Sequence, residues 1–324
     1  MRLTRRHLLA SPLLACTLAC TGAWAQSWPA RSVTLIVPNP PGGVVDTSAR
    51  LLAEPLGKLI GQPVVVDNRA GASGNIAYAT AAAAPKDGHT LLISYSAYHV
   101  GNPSLFPKLP WAQKDLQPVA LLTAATNVIA AHPSVPASNL REFVAYLKAN
   151  PGKLNFASQG NGSLAHVGTA LLEQATGTDM VHVPYKGSGA AIADVLSGQV
   201  QVFMTTPPSV MQHVQAGKLK AYAVTGKTRH PGLPQVPTTA EAGLPGFELE
   251  AWVALFAPAG TPAAVVQTMT DRVRAALATP EARAAAERSG IEIRYLGPEA
   301  LGALVQKETA YWSQVIKARQ IQAD

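Results

Sequence analysis

The sequence predicts an α/β protein of two lobes, each a mixed, mostly parallel sheet flanked by helices, with the chain crossing between them twice. Three observations predict it. Short apolar runs alternate with helical periodicity almost throughout, which implies parallel strands covered by helices on both faces. The grammar of strand, glycine/serine turn and helix that opens the chain recurs from about residue 154. A late apolar run, Leu249 to Phe256, then leads the chain back toward its first unit. The boundaries follow: residues 26–124 with 252–324 form lobe 1, and 125–251 form lobe 2. A chain of 324 residues suits two domains, since single cores stop growing beyond about 250–300 residues. No fixed-period repeat is visible, which excludes a solenoid. Two lobes joined by two connections make a hinged cleft.

The first residues stand apart from this fold. Arg2, Arg5 and Arg6 precede an apolar run from Leu8 to about Ala23, and Ala23-Trp24-Ala25 has the small-x-small form of a signal-peptidase site. Residues 1–25 are therefore expected to be an exported leader cut after Ala25. Thr4-Arg5-Arg6-His7-Leu8-Leu9 resembles a twin-arginine signal, so Sec and Tat routes both stay open, and Leu13-Leu14-Ala15-Cys16 has the look of a lipobox. Both cysteines, Cys16 and Cys20, lie in the leader, so the mature chain has no disulfide, thiol catalyst or cysteine-bound metal. Losing the leader's three arginines takes the formal charge from +7 to +4. With no Lys/Arg run, nucleic acid is not an expected partner.

Taken in order, Val33 to Val37 reads as a buried strand, and Pro38-Asn39-Pro40-Pro41-Gly42-Gly43-Val44-Val45-Asp46 as a stiff turn. A helix is expected from near Thr47, with Asp46 as its N-cap and Pro55 kinking it. Such a helix start aims unpaired N–H groups outward, which suits a carboxylate or phosphate. Val64 to Val66 and Leu91 to Tyr95 are further strands, with an alanine-rich helix between them. In the second unit, Asn139 to Ala149 is a helix, and strand Leu154 to Ala157 enters the turn Ser158-Gln159-Gly160-Asn161-Gly162-Ser163. Strands Met180 to Val183, Val200 to Met204 and Leu219 to Val224 follow. The tail gives helices at Pro262 to Leu277, Pro280 to Ser289 and Pro298 to about Arg319, with strand Ile291 to Tyr295 before the last.

The turn at Gly160-Asn161-Gly162-Ser163 formally fits a dinucleotide fingerprint. The next strand, however, ends in Pro184-Tyr185-Lys186, with no acid for the ribose hydroxyls. The same residues fit a carboxylate pocket, where N–H groups and the Ser158 and Ser163 hydroxyls converge. No enzyme motif appears: there is no G-x-S-x-G, no phosphate-loop lysine and no H-E-x-x-H. The histidines show no metal-ligand spacing, so neither a catalytic residue, a metal nor a cofactor is expected. His166, one turn into its helix, is the histidine placed to face a ligand. Tyr95, Tyr98, Phe203 and Trp252 follow or end strands, where α/β sites lie, and Thr205 and Thr206 could offer hydroxyls to the same cleft.

The order of motifs resembles the Bug family, the extracytoplasmic solute receptors of tripartite tricarboxylate transporters. The likeness runs through Val37 to Asp46, Asp67-Asn68-Arg69-Ala70-Gly71-Ala72-Ser73-Gly74-Asn75-Ile76 and Pro85-Lys86-Asp87-Gly88-His89. It continues at Asn150-Pro151-Gly152-Lys153-Leu154, Ser158 to His166, His182-Val183-Pro184-Tyr185-Lys186-Gly187-Ser188 and Leu255-Phe256-Ala257-Pro258-Ala259-Gly260-Thr261-Pro262. The resemblance implies a monomeric periplasmic binding protein of type II-like, two-lobed form, closing over a carboxylate and delivering it to membrane permease subunits. It places ligand contacts at Gly42, Gly43, Asp46, Ser158, Gly162, Ser163 and His166. Asn39, Val44, Asn161, Ser94, Ser96, Tyr98, Thr205 and Thr206 join them as neighbours in the same loops.

Two departures bear on the ligand. Many relatives have an acid where this chain has Thr205-Thr206, and a threonine cannot pair with a ligand ammonium. Ser94-Tyr95-Ser96-Ala97-Tyr98-His99 is also more aromatic than in relatives. Together these favour an aromatic mono- or dicarboxylate without an amino group, terephthalate-like, over citrate-like acids. A ligand sensor presenting an aliphatic carboxylate to a two-component system is the alternative reading.

Overall fold

The computed structural model describes residues 28–318, so the expected leader with its cut after Ala25, and the end of the last helix at Arg319, lie outside the described residues. The chain enters with β1 (Val33–Val37), α1 (Val44–Ile60), β2 (Val64–Asn68), α2 (Asn75–Ala82), β3 (Thr90–Tyr95), α3 (Asn102–Leu105) and β4 (Leu116–Thr126). It continues with β5 (Val128–Ala131), α4 (Leu140–Ala149), β6 (Asn155–Ser158), α5 (Leu164–Thr176), β7 (Val181–Pro184), α6 (Ser188–Ser197), β8 (Val202–Thr205), α7 (Pro207–Gln215) and β9 (Lys220–Val224). It closes with β10 (Glu250–Pro258), α8 (Ala263–Leu277), α9 (Pro280–Ser289), β11 (Glu292–Leu296) and α10 (Pro298–Ala318).

Two mixed sheets result. One runs β11-β4-β10-β3-β1-β2 and the other β7-β6-β8-β5-β9. Among the described strands, parallel pairs are β1 with β2 and β3, and β6 with β7 and β8, the βαβ parts of each lobe. The strands that enter or return through the hinge pair antiparallel, β10 with β3 and β4, β11 with β4, and β5 with β8 and β9. The expected predominance of parallel pairs is corrected accordingly: a strand arriving from the other lobe is free of the crossover rule that forces parallel order.

The short strands form because β-branched and leucine side chains fill both faces. Val33, Leu35, Ile36 and Val37 are all buried in the first core, and Val202, Phe203 and Met204 play that part in β8. Helix α1 runs unbroken through Pro55 and ends at Gly61, whose φ of 69° admits the left-handed cap. Two strands were invisible in the sequence. β4 and β5 read as a continuous leucine- and alanine-rich run, interrupted only at Asn127, with no period-2 alternation because almost every residue is buried.

Asn127 marks one crossing, and the end of β9 to the start of β10 marks the other. Buried hydrogen bonds strap the two together. Asn127 N–H donates to Thr225 Oγ1 at 2.9 Å, its Nδ2 to Leu249 O at 3.2 Å, and Thr225 N–H returns to Asn127 O at 2.9 Å. Thr126 pairs in register with Glu250, so both connections run side by side. Satisfied polar groups at this depth hold one strand alignment while leaving the lobes joined by only two strands.

Candidate functional site

The turn after β1 is built around backbone that only glycine adopts easily: Gly42 has φ +97°. The following helix starts three residues earlier than expected, at Val44, and its N-cap is Gly43, not Asp46. Asp46 sits in the first turn and reaches back, so that its Oδ2 accepts the Gly42 N–H at 3.1 Å. The bond ties the first helical turn to the residue before its N-cap. Arg50 Nε donates to its two oxygens at 3.1 and 3.0 Å, and Asn68 Nδ2 to Oδ1 at 3.0 Å. Burial alone would raise the Asp46 pKa, but hydrogen bonds from Arg50, Asn68 and Gly42, with the Arg50 charge, hold it below the ordinary carboxylate range. Asp46 therefore braces the loop from behind, with both oxygens engaged by protein donors.

The lobes meet around a small cavity of about 20 Å³, lined by Asn39, Pro40, Gly43, Val44, Val45 and Tyr95 of one lobe and Gln159, Ser188 and Thr206 of the other. That space suits one water-sized guest, so binding anything larger requires the lobes to part. Three helix N-termini converge on it. α1 presents the first-turn N–H groups of Val44 and Val45, and α6 begins at Ser188. α7 is capped by Thr206, whose hydroxyl makes no capping bond. Because α7 opens with Pro207-Pro208, it brings its dipole and the threonine hydroxyl but no N–H at those two positions. Positive helix ends facing one point from both lobes make an anion site.

Two amides complete the ring. Asn39 Nδ2 lies 3.2 Å from Tyr98 Oη, and Gln159 Nε2 lies 2.8 Å from Thr205 Oγ1 and 3.4 Å from Ser188 Oγ. Asn39 Oδ1 and Gln159 Oε1 are buried with no hydrogen-bond partner. Every partner of the two NH₂ groups is a hydroxyl, which donates or accepts with equal ease. Either amide can therefore exchange its oxygen and nitrogen by rotation, turning NH₂ toward the anion from each lobe.

The turn after β6 holds the seam beside the cavity; Gln159 lines the cavity, while Ser158, Ser163 and His166 are engaged within the turn and by His182. Ser158 Oγ accepts the Gly160 N–H at 3.1 Å and lies 2.7 Å from His182 Nε2. Ser163 caps α5, accepting the His166 N–H at 3.4 Å, and His166 Nδ1 accepts the Gly162 N–H at 3.1 Å. The His166 and His182 rings stack at 4.0 Å with 6° between planes. Asn161 O accepts the Ser73 hydroxyl from the other lobe at 2.9 Å. A Cβ on Gly162 would come within 2.6 Å of Leu105 Cδ1.

Of the residues singled out by sequence, Asn39, Gly43, Val44 and Thr206 line the cavity, and Thr205 stands behind Gln159. Gly42, Asp46, Ser158, Asn161, Gly162, Ser163 and His166 shape the loops around it without lining it. Ser94 and Ser96 do not reach it: Ser94 Oγ bonds Tyr78 Oη at 2.8 Å, and Ser96 Oγ accepts the Trp252 N–H at 3.2 Å. Tyr98 is buried behind Asn39, its phenol pushed up to about 12 by burial, against the opposing Asn39 hydrogen bond. His99 is deep in the core, stacked on Phe256 at 4.2 Å, and burial lowers its pKa to about 3. Of the aromatic segment, only Tyr95 faces the cavity.

Comparison with known proteins gives a consistent answer. The profile of the tripartite tricarboxylate transporter family receptor matches residues 48–321. A UPF0065 protein from a tcbD-tcbE intergenic region of Pseudomonas sp. is 40% identical over 99% of this chain and 96% of its own length. BugT of Bordetella pertussis is 36% identical over 90% of each chain. An R. palustris protein solved with adipate superposes with a TM-score of 0.88 at 33% identity, covering 92% of this chain and all of its own. MatC from Rhodopseudomonas palustris with bound malate gives 0.83 at 36% identity, over 89% of this chain and all of its own. The chain belongs to the tripartite tricarboxylate transporter receptor family. This is the Bug family that the motif order resembles, and its two-lobed α/β architecture is the one described above.

In this receptor the cavity residues that sequence reasoning passed over as contacts are Pro40, Val45, Gln159 and Ser188. Each lies within or beside a motif that was noticed. Gln159 and Ser188 occupy first positions after a strand end or glycine, where a side chain faces the gap between lobes. That placement was the available signal.

Proposed function

We propose that this receptor, working as a monomer in the periplasm, captures a small carboxylate between its lobes and delivers it to the membrane permease subunits of a tripartite transporter. It binds and does not catalyse. The observation that carries this is the convergence of α1, α6 and α7 N-termini from opposite lobes on one cavity, ringed by the Asn39 and Gln159 amides. A carboxylate there accepts hydrogen bonds from both lobes, so it binds the closed form better than the open one and shifts the population toward closure.

The rest of the ligand is read from the walls. Pro40, Val44, Val45 and Tyr95 offer an apolar surface with one aromatic ring, and Thr205-Thr206 offers no carboxylate for an ammonium. The preferred ligand is therefore a dicarboxylate with an apolar spacer and no amino group, with terephthalate the leading example. Relatives solved with adipate and with malate supply its aliphatic competitors.

A thermal-shift panel of terephthalate, adipate, malate, citrate, glutamate and aspartate tests the reading. A ligand at 100 times its Kd stabilises by about 2.7 kcal/mol, a shift that is easily read. Terephthalate is expected to give the largest shift, followed by adipate. Response to glutamate or aspartate alone would sink the proposal.

A further inference from the structure

A second and much larger hollow, of about 1070 Å³, opens between the lobes at the hinge. Its floor is the end of β4 at Ala124 to Thr126, with Glu250 of β10 and the start of β11. One wall is α9 of lobe 1, and the other is the second half of α7 with loop 226–232 of lobe 2. Nothing in the capture of a small carboxylate uses this groove.

Its charge is unevenly spent. Arg294 is held by two carboxylates, Glu250 and Glu292, at 2.8 and 2.9 Å, and Arg229 by Glu241 at 2.8 Å. Lys227 is only loosely paired, 3.9 Å from Glu248, with most of its side chain in water. The side chains of Arg283 and Arg288 of α9 are exposed and make no ion pair or hydrogen bond among the described residues; Glu287 lies between them on the same helix. Over the lining residues alone, five cations (Lys227, Arg229, Arg283, Arg288, Arg294) face three carboxylates (Glu250, Glu287, Glu292), and the positive charge left without an ion pair is that of Arg283 and Arg288. Guanidinium groups held on a rigid helix suit carboxylates, which they bind with two parallel hydrogen bonds. The hollow, about 1070 Å³, lies at the upper end of the usual small-molecule range of about 300–1,000 Å³ and has room for an extended segment carrying several side chains.

The groove also reads the state of the jaws. Its walls belong to different lobes, so its width follows their rotation. His230 of lobe 2 reaches across to Gly290 of lobe 1, Nε2 to carbonyl oxygen at 3.1 Å. Gly290 is packed so closely there that a Cβ would come within 2.9 Å of both His230 Cε1 and Pro207 Cβ. Helix α7 spans the two sites: its cap, Thr206, lines the jaw cavity, and Met211, Gln212 and Gln215 line the groove.

We infer that the hinge groove is the docking surface for an acidic, extended segment of the membrane partner, and that it binds this segment in the lobe-closed form. The inference rests on the reading of the protein as a closing receptor. By linkage, whatever the carboxylate does to affinity for the segment, the segment does equally to affinity for the carboxylate.

The test uses the mature receptor and a fluorescently labelled oligoglutamate peptide, read by anisotropy with and without saturating terephthalate, or whichever acid of the panel binds. The peptide is expected to bind at least fivefold tighter with the acid present, to weaken steeply with added salt, and to bind at least tenfold more weakly to R283E/R288E. Carboxylate affinity of that variant, titrated without peptide, should match the wild type, because both arginines are exposed and remote from the jaws. Absence of peptide binding, binding undiminished by the charge reversal, or binding indifferent to the acid would each overturn the inference. If no acid binds in the peptide-free titration, the capture reading falls, and the groove then stands or falls on the charge reversal alone.

Discussion

The most direct test of lobe closure is Gly187→Ala. Gly187 caps α6 in lobe 2 with φ +134°, and a Cβ built there lies 2.9 Å from Pro40 Cγ and 3.1 Å from Cδ, in lobe 1. The substitution has two costs that act on different states. Backbone strain at this φ, about 1–3 kcal/mol, is present whether the jaws are open or shut. The clash with Pro40 exists only when they are shut. Carbon atoms rest about 3.5–4.0 Å apart, so Pro40 must retreat by more than half an ångström in a packed seam. Overpacking of that kind costs about 1–3 kcal/mol. Only the second cost enters the binding equilibrium, and at 1.4 kcal/mol per tenfold it weakens the carboxylate by roughly 5- to 150-fold.

Calorimetric titration of the preferred acid, beside thermal unfolding without it, separates the two. Gly177→Ala serves as the reference, since Gly177 has φ +63° and no atom within 4 Å of its Cβ position. It should lose stability and keep its affinity. If Gly187→Ala binds the acid as tightly as the wild type, the Pro40–Gly187 contact does not form on closure and the reasoning fails.

Two further predictions concern stability and its pH dependence. Asp46→Ala strips acceptors from Gly42, Arg50 and Asn68, and with Arg50 half in water this should cost about 2–3 kcal/mol in denaturant unfolding. Because the folded pKa of Asp46 is lowered, the wild-type advantage is full above the ordinary carboxylate pKa of about 4 and shrinks as pH falls through the lowered value; a gap that widens in acid would contradict the assignment. Glu173 shifts the other way: burial, opposed by the Met180 N–H at 2.6 Å and reinforced by the Asp179 charge, raises it from 4.5 to about 7. The folded state then holds a proton that the unfolded chain has lost, so the wild type loses stability as pH rises from about 4.5 to about 7. Glu173→Gln keeps an acceptor for Met180 and carries no charge, so it should be about 1–2 kcal/mol more stable near pH 8 and equal to the wild type near pH 4.5; equal melting temperatures at both would refute the shift.

How far the sequence could be read depended on how local each cause was. Helix α9 was placed to the residue because Thr279, Pro280 and Gly290 act on their own neighbours as cap, first-turn proline and left-handed stop. The βαβ strands were legible from their β-branched runs, but β4 and β5 were not, since the burial that makes them strands comes from β10 and β8 far along the chain. Helix α7 went unread because the prolines that begin it look like a break until the Thr206 cap is seen. At the site, the loop after β1 was found because its glycine backbone is a local necessity. Ser94 sits away from the cavity because it takes the opposite face of β3 from Tyr95 and bonds Tyr78, while Ser96, just past the strand end, is engaged by the Trp252 N–H. Gln159 and Ser188 escaped because what makes them part of a site is the opposite lobe.

That dependence on the opposite lobe also joins the two hollows. The jaw cavity is about 20 Å³ and the hinge groove about 1070 Å³, on either side of the same pair of strapped strands. If the lobes rotate about those strands on capture, as proposed, both spaces change together, and α7 has one end at each. A ligand that draws Asn39 and Gln159 together therefore sets the spacing between α9 and loop 226–232 without touching either. On the proposed function, a partner reading that spacing would tell a loaded receptor from an empty one by geometry alone, as delivery of a captured acid would require.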